Sequence, residues 1–308
     1  MKNSNWTIDH IPDLSGKVII VTGGNSGLGY ESVKALAMKG AEVILASRFA
    51  EKGDEAKSAI LKDFPDGKIR VMQLDLSDLD SVRRFAGKFL DEYEKLDVLM
   101  NNAGIMMTPY FKTKDGFEGQ FGVNHLGHFA LTGLLQDLLL RTPGSRIVNV
   151  SSGAHKMGKV DFSDLQFENG RAYSPIKSYG QSKLSNLLFT YELQRKLESA
   201  QKDSISLAAH PGSSMTNLGR HLEGKLIYKI LFPLFKRMSQ DQAQGALPQI
   251  RASVDPSAKG GEYYGPDGRR EMTGYPVLVP SNEASHNLSD AARLWEESEK
   301  LTGVKIDI

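Results

Sequence analysis

The chain has 308 residues, of which 40% are hydrophobic, and it carries 38 basic against 37 acidic side chains for a formal net charge of +1. This length and composition allow a large buried core, and the near-neutral, evenly mixed charge gives no indication of a nucleic-acid-binding stripe or a polybasic membrane anchor. The sequence contains no cysteine, which excludes disulfides, thiolate catalysis and cysteine-ligated metal sites. We therefore expect a globular protein of a reducing compartment and predict a cytoplasmic one.

The amino-terminal residues 1–15 are polar and lack the apolar core of a secretion signal, so we predict a short N-terminal extension. The most apolar stretch elsewhere is Leu226–Phe235, which Lys229 and Pro233 interrupt. It is too short to span a bilayer, and we expect no membrane span in the chain. We predict a buried or lid helix for this stretch, with a membrane-surface helix as the alternative.

Short β-branched runs alternate along the chain with longer stretches of helical periodicity. The predicted strands, in order, are Lys17–Thr22, Glu42–Ala46, Ile69–Leu74, Val98–Asn101, Arg146–Val150 and Ser204–Ala208. The predicted helices are Gly29–Lys39, Ala50–Asp63, Ser77–Glu94, Gly116–Leu140 and Ser178–Ala200. Continuous apolar strands that alternate with helices predict an α/β fold, with one doubly wound, Rossmann-like parallel sheet and helices on both faces.

No internal repeat, low-complexity tract or linker-like change of composition interrupts the sequence, so we predict a single domain over residues 1–308. The strand–helix alternation stops at about Met215, and we predict that residues 215–238 form a substrate lid. Later in the chain, Tyr263 and Tyr264 have the pattern of a last strand against the sheet.

A glycine-rich turn joins the first predicted strand to the first helix, with the sequence Thr22-Gly23-Gly24-Asn25-Ser26-Gly27-Leu28-Gly29. Glycines permit a tight turn and let the backbone approach a pyrophosphate at a helix N-terminus, where N–H groups favour an anion. A glycine turn can serve packing alone, but the strand before it and the helix after it favour a dinucleotide site. The phosphate-binding loop of nucleoside triphosphatases is excluded, because no Gly-Lys-Ser/Thr ends the motif.

The end of the second strand indicates which dinucleotide is bound. A site for NAD places an acidic residue about 20 residues after the glycines, where it binds the ribose 2′-hydroxyl. Here the strand ends in Ser47 and Arg48, a hydroxyl and a guanidinium that suit the 2′-phosphate of NADP(H). The alternative is that Arg48 is a solvated surface residue.

Tyr179 and Lys183 are four residues apart in a predicted helix and therefore share one helix face. A nearby ammonium stabilises a phenolate and lowers the pKa of the phenol, which makes Tyr179 a candidate proton donor to a carbonyl. This spacing alone also occurs in solvent-facing pairs. Together with the dinucleotide turn it predicts a reductase site.

With these motifs in place, the chain resembles the short-chain dehydrogenase/reductase family over residues from about 17 to 265. The family's segments occur in order: Thr22, Gly23, Gly27 and Gly29 of the glycine motif, Asp75-Leu76 beside the adenine, Asn101-Asn102-Ala103-Gly104, the active-site Asn124, the catalytic Ser152, Tyr179 with Lys183, and Pro211, Gly212 and Thr216 at the nicotinamide end. The resemblance implies an NADP(H) site formed by Thr22, Gly23, Asn25, Ser26, Gly27, Leu28, Gly29, Ser47, Arg48, Asp75, Leu76, Asn102, Ala103, Gly104, Tyr179, Lys183, Pro211, Gly212 and Thr216.

The resemblance also implies a role for each catalytic residue. Tyr179 exchanges a proton with the substrate oxygen, and Lys183 lowers the pKa of that tyrosine and hydrogen-bonds the nicotinamide ribose. Ser152 donates a hydrogen bond to the carbonyl oxygen, where charge develops. Asn124 holds a water that connects Lys183 to solvent. The cofactor performs the hydride chemistry, while the protein supplies position and polarity.

Within the family, the chain is similar to retinol dehydrogenases and WW-domain-containing oxidoreductases. Shared stretches are VNVSSGAH, SKLSNLLFTYEL and LWEESEKLTGV, although this sequence shows neither WW modules nor the N-terminal membrane anchor of many retinol dehydrogenases. We expect a small to mid-sized, apolar carbonyl or alcohol substrate and no nucleic acid. The alternatives are a sugar-nucleotide epimerase or dehydratase and a catalytically idle NADP(H)-binding sensor; the cysteine proposed for light-dependent protochlorophyllide reductase is absent.

Several other residues have less specific patterns. His125 and His128 are three apart on a predicted helix, but no third ligand cluster accompanies them, so we predict no metal site. His155 either lines the pocket or packs in the core. Tyr173 is a weaker candidate than Tyr179, because no lysine follows it at helical spacing.

The resemblance further implies pairing of two subunits through the helices Gly116–Leu140 and Ser178–Ala200. The second helix has apolar residues on more than one side, more than one buried stripe needs: Leu184, Leu187, Leu188, Tyr191 and Leu197. We predict a homodimer. The alternative is a monomer in which the insertion Lys156–Ser178 covers this face.

Overall fold

An eight-stranded sheet forms the centre of the computed structural model, which describes residues 5–213 and 240–308. Its strands are β1 (Val18–Thr22), β2 (Glu42–Ser47), β3 (Lys68–Gln73), β4 (Val98–Asn101), β5 (Arg146–Val150), β6 (Ile205–Ala209), β7 (Tyr263–Pro266) and β8 (Pro276–Leu278). Their order across the sheet is β3-β2-β1-β4-β5-β6-β7-β8. All neighbouring pairs are parallel except β7 and β8, which are antiparallel. The predicted doubly wound parallel sheet is confirmed, and Tyr263 and Tyr264 begin the predicted late strand.

Helices cover both faces of the sheet. They are α1 (Gly27–Met38), α2 (Ala50–Asp63), α3 (Leu79–Glu92), α4 (Gly119–Phe121), α5 (Gly127–Leu134), α6 (Gln136–Arg141), α7 (Pro175–Ser199), α8 (Gln242–Val254) and α9 (Leu288–Thr302). Successive strand residues point to opposite faces, so Ile19 packs in the core under α1, α2 and α8, whereas Ile20 packs under α3, α5, α7 and α9.

The predicted helix Gly116–Leu140 is the main difference between the sequence prediction and the structure. It divides into α4, a π-helical turn (Gly122–Leu126), α5 and α6, with a break at Leu135 (φ −103°, ψ 2°). Close packing requires glycine at Gly127, where a Cβ would lie 2.6 Å from the carbonyl oxygen of Leu76. Periodicity reports which face is apolar but not a local change of helical pitch, so the prediction of one continuous helix was wrong. Helices α8 and α9 and strand β8 were not predicted.

The part of the N-terminal extension that the structure describes packs on the core. Trp6, Ile11 and Leu14 are buried in the same cluster as α1. The backbone N–H of Leu14 donates to the carbonyl oxygen of Lys39, which ties the extension to the end of α1. These residues therefore bury apolar surface that would otherwise lie open beside the sheet.

Helix α9 covers the face of α5 and α7 from which a homodimer was predicted. The Trp295 ring lies 5.5 Å from that of Phe129 and 5.7 Å from that of Phe189, measured between centroids. The insertion before α7 meets the same helix, since the guanidinium of Arg293 lies 4.6 Å from the centroid of the Phe162 ring. All five apolar residues used for the dimer argument are buried within one chain: Leu184, Leu187, Leu188, Tyr191 and Leu197.

We therefore expect a monomer. Light scattering over a concentration series should give a mass near 33.9 kDa throughout. A mass that doubles with concentration would contradict the monomer.

Trp295→Ala should lower the free energy of unfolding by about 3–5 kcal/mol, because a large buried ring is removed. Lys300→Ala, on an exposed position of the same helix, is the control and should change this free energy little.

Candidate active site

The loops that follow β1 and β4 meet at the carboxyl edge of the sheet, where the strand order reverses direction. In doubly wound sheets this switch point forms the ligand-binding crevice. The Thr22 hydroxyl accepts hydrogen bonds from the backbone N–H groups of Asn102 and Ala103, both at 2.9 Å. The side chain of Asn102 in turn donates to the Thr22 carbonyl at 2.7 Å. The two predicted motifs are thereby joined into one structure.

The glycine turn has the backbone conformation and the free donors that a pyrophosphate needs. Gly23 and Gly27 have φ values of +67° and +59°, which favour glycine, and a Cβ on Gly29 would collide with the Gly23 carbonyl oxygen. Ser26 is exposed at the N-cap of α1, and its side chain makes no capping hydrogen bond. The first N–H groups of α1 have no partner within the helix and can bind an anion. Asn25 is half-buried beside them, whereas the Leu28 side chain is buried.

The end of β2 supplies one exposed cation. Arg48 has 63% of its side chain exposed, with Nε 3.3 Å from a carboxylate oxygen of Asp75. Ser47 is buried, and its hydroxyl donates to the Phe49 carbonyl at 2.9 Å. A phosphate offers only acceptors, and the single hydrogen of the Ser47 hydroxyl is already donated to Phe49. The 2′-phosphate hypothesis therefore depends on Arg48. Leu76, predicted beside the adenine, is buried.

Tyr179 and Lys183 lie one turn apart on α7, and both are buried. The Lys183 ammonium donates to the Val150 carbonyl at 2.9 Å and lies 5.7 Å from the centroid of the Tyr179 ring. A Cβ on Gly104 would lie 3.5 Å from Lys183 Nζ and 3.2 Å from Asn124 Oδ1, so the loop after β4 runs directly beside both groups.

Burial dominates the proton equilibria of this pair. It lowers the pKa of Lys183 to about 8 and raises the pKa of Tyr179 to about 12, a rise that a hydrogen bond with Ser152 only partly opposes. The lowered pKa expected for Tyr179 is therefore not what the protein alone produces. The cause is the burial of the phenol, and the Lys183 ammonium, which donates to the Val150 carbonyl, does not offset it.

Ser152 follows β5 and begins a 3₁₀ turn over Gly153–Met157. Its hydroxyl accepts from the backbone N–H of Ala154 at 3.2 Å, and its side chain is close enough to Tyr179 to act on the pKa of that phenol. The neighbouring Ser151 hydroxyl donates to the Lys183 carbonyl at 2.9 Å. The end of β5 is thus fixed to α7 next to the tyrosine.

Asn124 lies in the π-helical turn and is fully buried. Its amide donates to the Ile105 carbonyl and to the Ser182 hydroxyl, both at 2.9 Å, and its oxygen accepts from the Ile105 N–H at 2.8 Å. Both amide hydrogens therefore bond to protein, which makes the side chain a brace between the loop after β4 and α7. Single-turn π segments of this kind recur at functional sites.

The remaining predicted candidates have structural partners. The Nδ1 of His155 bonds to the Ser152 carbonyl at 2.6 Å, and its Nε2 accepts from the Asn282 N–H at 3.2 Å. The Tyr173 hydroxyl donates to the Thr108 carbonyl and accepts from Gln120. Within residues 5–213 and 240–308, no group of three His, Asp or Glu side chains is arranged to hold a metal ion. No helix in these ranges is long and apolar enough to cross a bilayer.

The segment after β6 reaches the same edge of the sheet. Gly212 has φ +65°, and a Cβ there would collide with the Met272 carbonyl oxygen. Pro211 is half-buried beside it. Thr216 and the predicted lid, 215–238, lie outside the described residues.

Sequence reasoning missed an ionic group behind this segment. Glu271 accepts from the Lys156 ammonium at 3.1 Å and lies 3.3 Å from Nε2 of the buried His210. These two partners lower the pKa of Glu271 to about 2, with His210 the larger cause. His210 directly precedes Pro211, which was the available signal; nothing in the sequence singled out Glu271.

Comparisons with known proteins agree with this geometry. The sequence profile of a family described as short chain dehydrogenase matches residues 17–164. Mouse retinol dehydrogenase 12 is 41% identical over 95% of this chain and 88% of its own length, and human retinol dehydrogenase 11 is 42% identical over 96% and 88%. The crystal structure of an uncharacterized protein from Mycobacterium paratuberculosis superposes with a TM-score of 0.81 at 41% identity, covering 99% of this chain and 100% of that one.

Proposed function

The chain belongs to the short-chain dehydrogenase/reductase family, and from that membership we propose that it is an NADP(H)-dependent oxidoreductase acting on a carbonyl or alcohol carbon. The observation that carries the proposal is the placement of Lys183 next to Gly104, with Tyr179 one turn away on α7 and Ser152 beside that tyrosine, at the edge of the sheet that holds a glycine turn suited to a pyrophosphate. The alternative function is a catalytically idle NADP(H)-binding sensor. Such a sensor does not need an intact proton donor beside the cofactor crevice.

Each catalytic residue has a separate role in the proposed reaction. The bound nicotinamide supplies or takes up the hydride. Ser152 donates a hydrogen bond to the substrate oxygen, and Tyr179 exchanges a proton with it. A pKa of about 12 leaves Tyr179 protonated at neutral pH, the form in which it can donate a proton to a carbonyl oxygen. Lys183, with a pKa of about 8, holds a proton that it releases more readily than an exposed lysine does.

We propose an apolar aldehyde, ketone or alcohol of small to mid size as the substrate. Two exposed apolar side chains flank the catalytic residues along the chain and support this class. Met157 ends the turn that begins after Ser152, and Ile176 lies three residues before Tyr179 in the first turn of α7. The relatives reported above are named for action on retinol, so retinoids are candidates within the class.

The function is tested by following NADPH and NADH absorbance with aldehydes, ketones and alcohols that include retinal and retinol. We expect turnover with NADPH and apolar aldehydes or ketones, and slower turnover with polar ones. NADPH binding without turnover of any compound in the panel would favour the sensor and contradict the enzyme.

Cofactor preference is the next expected result. Wild-type protein should bind NADPH more tightly than NADH, and Arg48→Ala should reduce the difference roughly 10- to 100-fold, since it removes one charge-assisted contact worth about 1.5–3 kcal/mol. Fluorescence titration gives both dissociation constants. Lys62→Ala, an exposed lysine in the last turn of α2, is the matched control and should leave the ratio unchanged. Equal affinities of the wild type for the two cofactors would refute the preference.

A further inference from the structure

His128 lies wholly buried between the dinucleotide turn and the π-helical turn. Its Nε2 is 2.9 Å from the Thr22 hydroxyl, and its Nδ1 is 3.0 Å from the backbone carbonyl oxygen of Asn124. One imidazole therefore contacts both the strand end that carries the glycine motif and the turn that carries the active-site asparagine. The roles assigned above to the catalytic residues make no use of it.

The hydrogen-bond partners determine the tautomer of this ring. The Asn124 carbonyl is only an acceptor, so His128 Nδ1 must carry hydrogen. The Thr22 hydroxyl oxygen already accepts from the N–H groups of Asn102 and Ala103. Its single hydrogen has two acceptors within reach, the Met100 carbonyl at 3.3 Å and His128 Nε2 at 2.9 Å, and the imidazole nitrogen is the nearer one. Burial lowers the pKa of His128 to about 4, which is consistent with a neutral ring that donates on one side and accepts on the other.

The two hydrogen-bond partners of His128, Thr22 and Asn124, are each joined to a part of the candidate site. On the Thr22 side, the hydroxyl fixes the loop at Asn102 and Ala103, which lines the cofactor crevice. On the Asn124 side, the side chain braces Ile105 and Ser182, and Ser182 directly precedes Lys183 on α7. Displacement of the Asn124 carbonyl would therefore shift Lys183 and the rest of α7 relative to the loop after β4.

We propose that His128 is a positioning residue, which holds the catalytic turn at Asn124 in fixed register with the cofactor-binding strand end at Thr22. This inference rests on the proposed function and adds to it a residue that contacts neither substrate nor cofactor. His125, three residues earlier, is also buried, but it bonds to the Ser298 hydroxyl of α9 at 2.9 Å. It is a packing residue, and so provides an internal comparison.

Two substitutions separate the two hydrogen bonds of His128. The amide of His128→Asn can replace Nδ1 and keep the bond to Asn124, while losing the contact with Thr22. His128→Gln reaches the position of Nε2 and keeps the bond to Thr22, while losing the donor to Asn124. We expect His128→Gln to lower kcat about tenfold or more with NADPH affinity within twofold, and His128→Asn to weaken NADPH binding several-fold with a smaller loss of kcat.

The control is His125→Gln, which removes an equally buried imidazole three residues earlier. It should lower Tm while leaving kcat and the NADPH dissociation constant near wild-type values. If both His128 variants lower kcat and NADPH affinity in parallel, or change Tm alone as His125→Gln does, His128 is a packing residue and the proposal fails. NADPH affinity is measured without turnover. If the wild type has no activity, the proposed function is refuted, but the effect of His128→Asn on NADPH binding still tests the contact between His128 and Thr22.

The wild-type protein offers a test that does not require a variant to fold. Long-range ¹⁵N–¹H NMR correlations of the histidine rings distinguish the two neutral tautomers. We expect the Nδ1–H tautomer for His128 from pH 6 to 8. An Nε2–H tautomer, or a ring that becomes charged in this range, would overturn the hydrogen-bond arrangement on which the proposal stands.

Discussion

Tyr179→Phe should lose about 100- to 10,000-fold in kcat, the range that a positioned general acid contributes, while NADPH still binds. The substitution removes only the phenol hydroxyl, and it leaves the buried ring beside Lys183 in place. Steady-state kinetics with the best substrate of the panel measures the loss, and fluorescence titration measures cofactor binding.

Tyr173→Phe is the matched control for this substitution. The Tyr173 hydroxyl bonds to the Thr108 carbonyl and to Gln120, so its removal should cost about 1 kcal/mol of stability and little activity. A Tyr179→Phe enzyme with wild-type kcat, or an equal loss in both variants, would show that Tyr179 is not the proton donor.

Lys183→Met should abolish turnover and also make the cofactor-free protein more stable near pH 7. Burial lowers the pKa of Lys183 from 10.5 to about 8, so the folded state binds fewer protons than the unfolded state between these two pH values. Below pH 8 both states are protonated, and the buried charge costs about 3 kcal/mol. Methionine removes that cost, and the Val150 carbonyl keeps a second donor, the amide of Asn186 at 3.2 Å.

The pH dependence gives this prediction a specific signature. The difference in free energy of unfolding between Lys183→Met and wild type should be largest below pH 8 and should shrink as pH rises from 8 to 10.5, because the wild type recovers the stability that the charge had cost it. Urea denaturation across this range measures it. Lys177→Met, an exposed position on the same helix, should show no such dependence. A pH-independent difference at Lys183 would mean that the ammonium is not desolvated.

The sheet was predictable from the sequence, and so was the edge of the sheet at which several candidate site residues lie, because local pattern and topology coincide there. Thr22 ends a strand that the apolar runs indicate, Asn102 and Ser152 come after two others, and parallel strands place their carboxyl ends at one edge. The family and the fold class were identified from the same segments.

Other features depend on contacts between residues distant in sequence. The direction of the Tyr179 pKa shift depends on how deeply the fold buries the ring and on where Lys183 Nζ points. The covering of α7 by Trp295 and the pairing of Glu271 with His210 join positions about 60 or more residues apart. Spacing along the chain contains no information about such contacts.

The antiparallel strand β8 has a consequence for aggregation. An open sheet has two edge strands with unpaired backbone N–H and C=O groups, and each edge can pair with a strand of another chain. Here one edge is β8, which is three residues long and begins with Pro276, a residue without an N–H group. The other edge is β3, which carries Lys68 and Arg70. A short proline-containing strand and a charged strand both discourage edge-to-edge growth, so the chain gains solubility from the same sheet that organises its crevice.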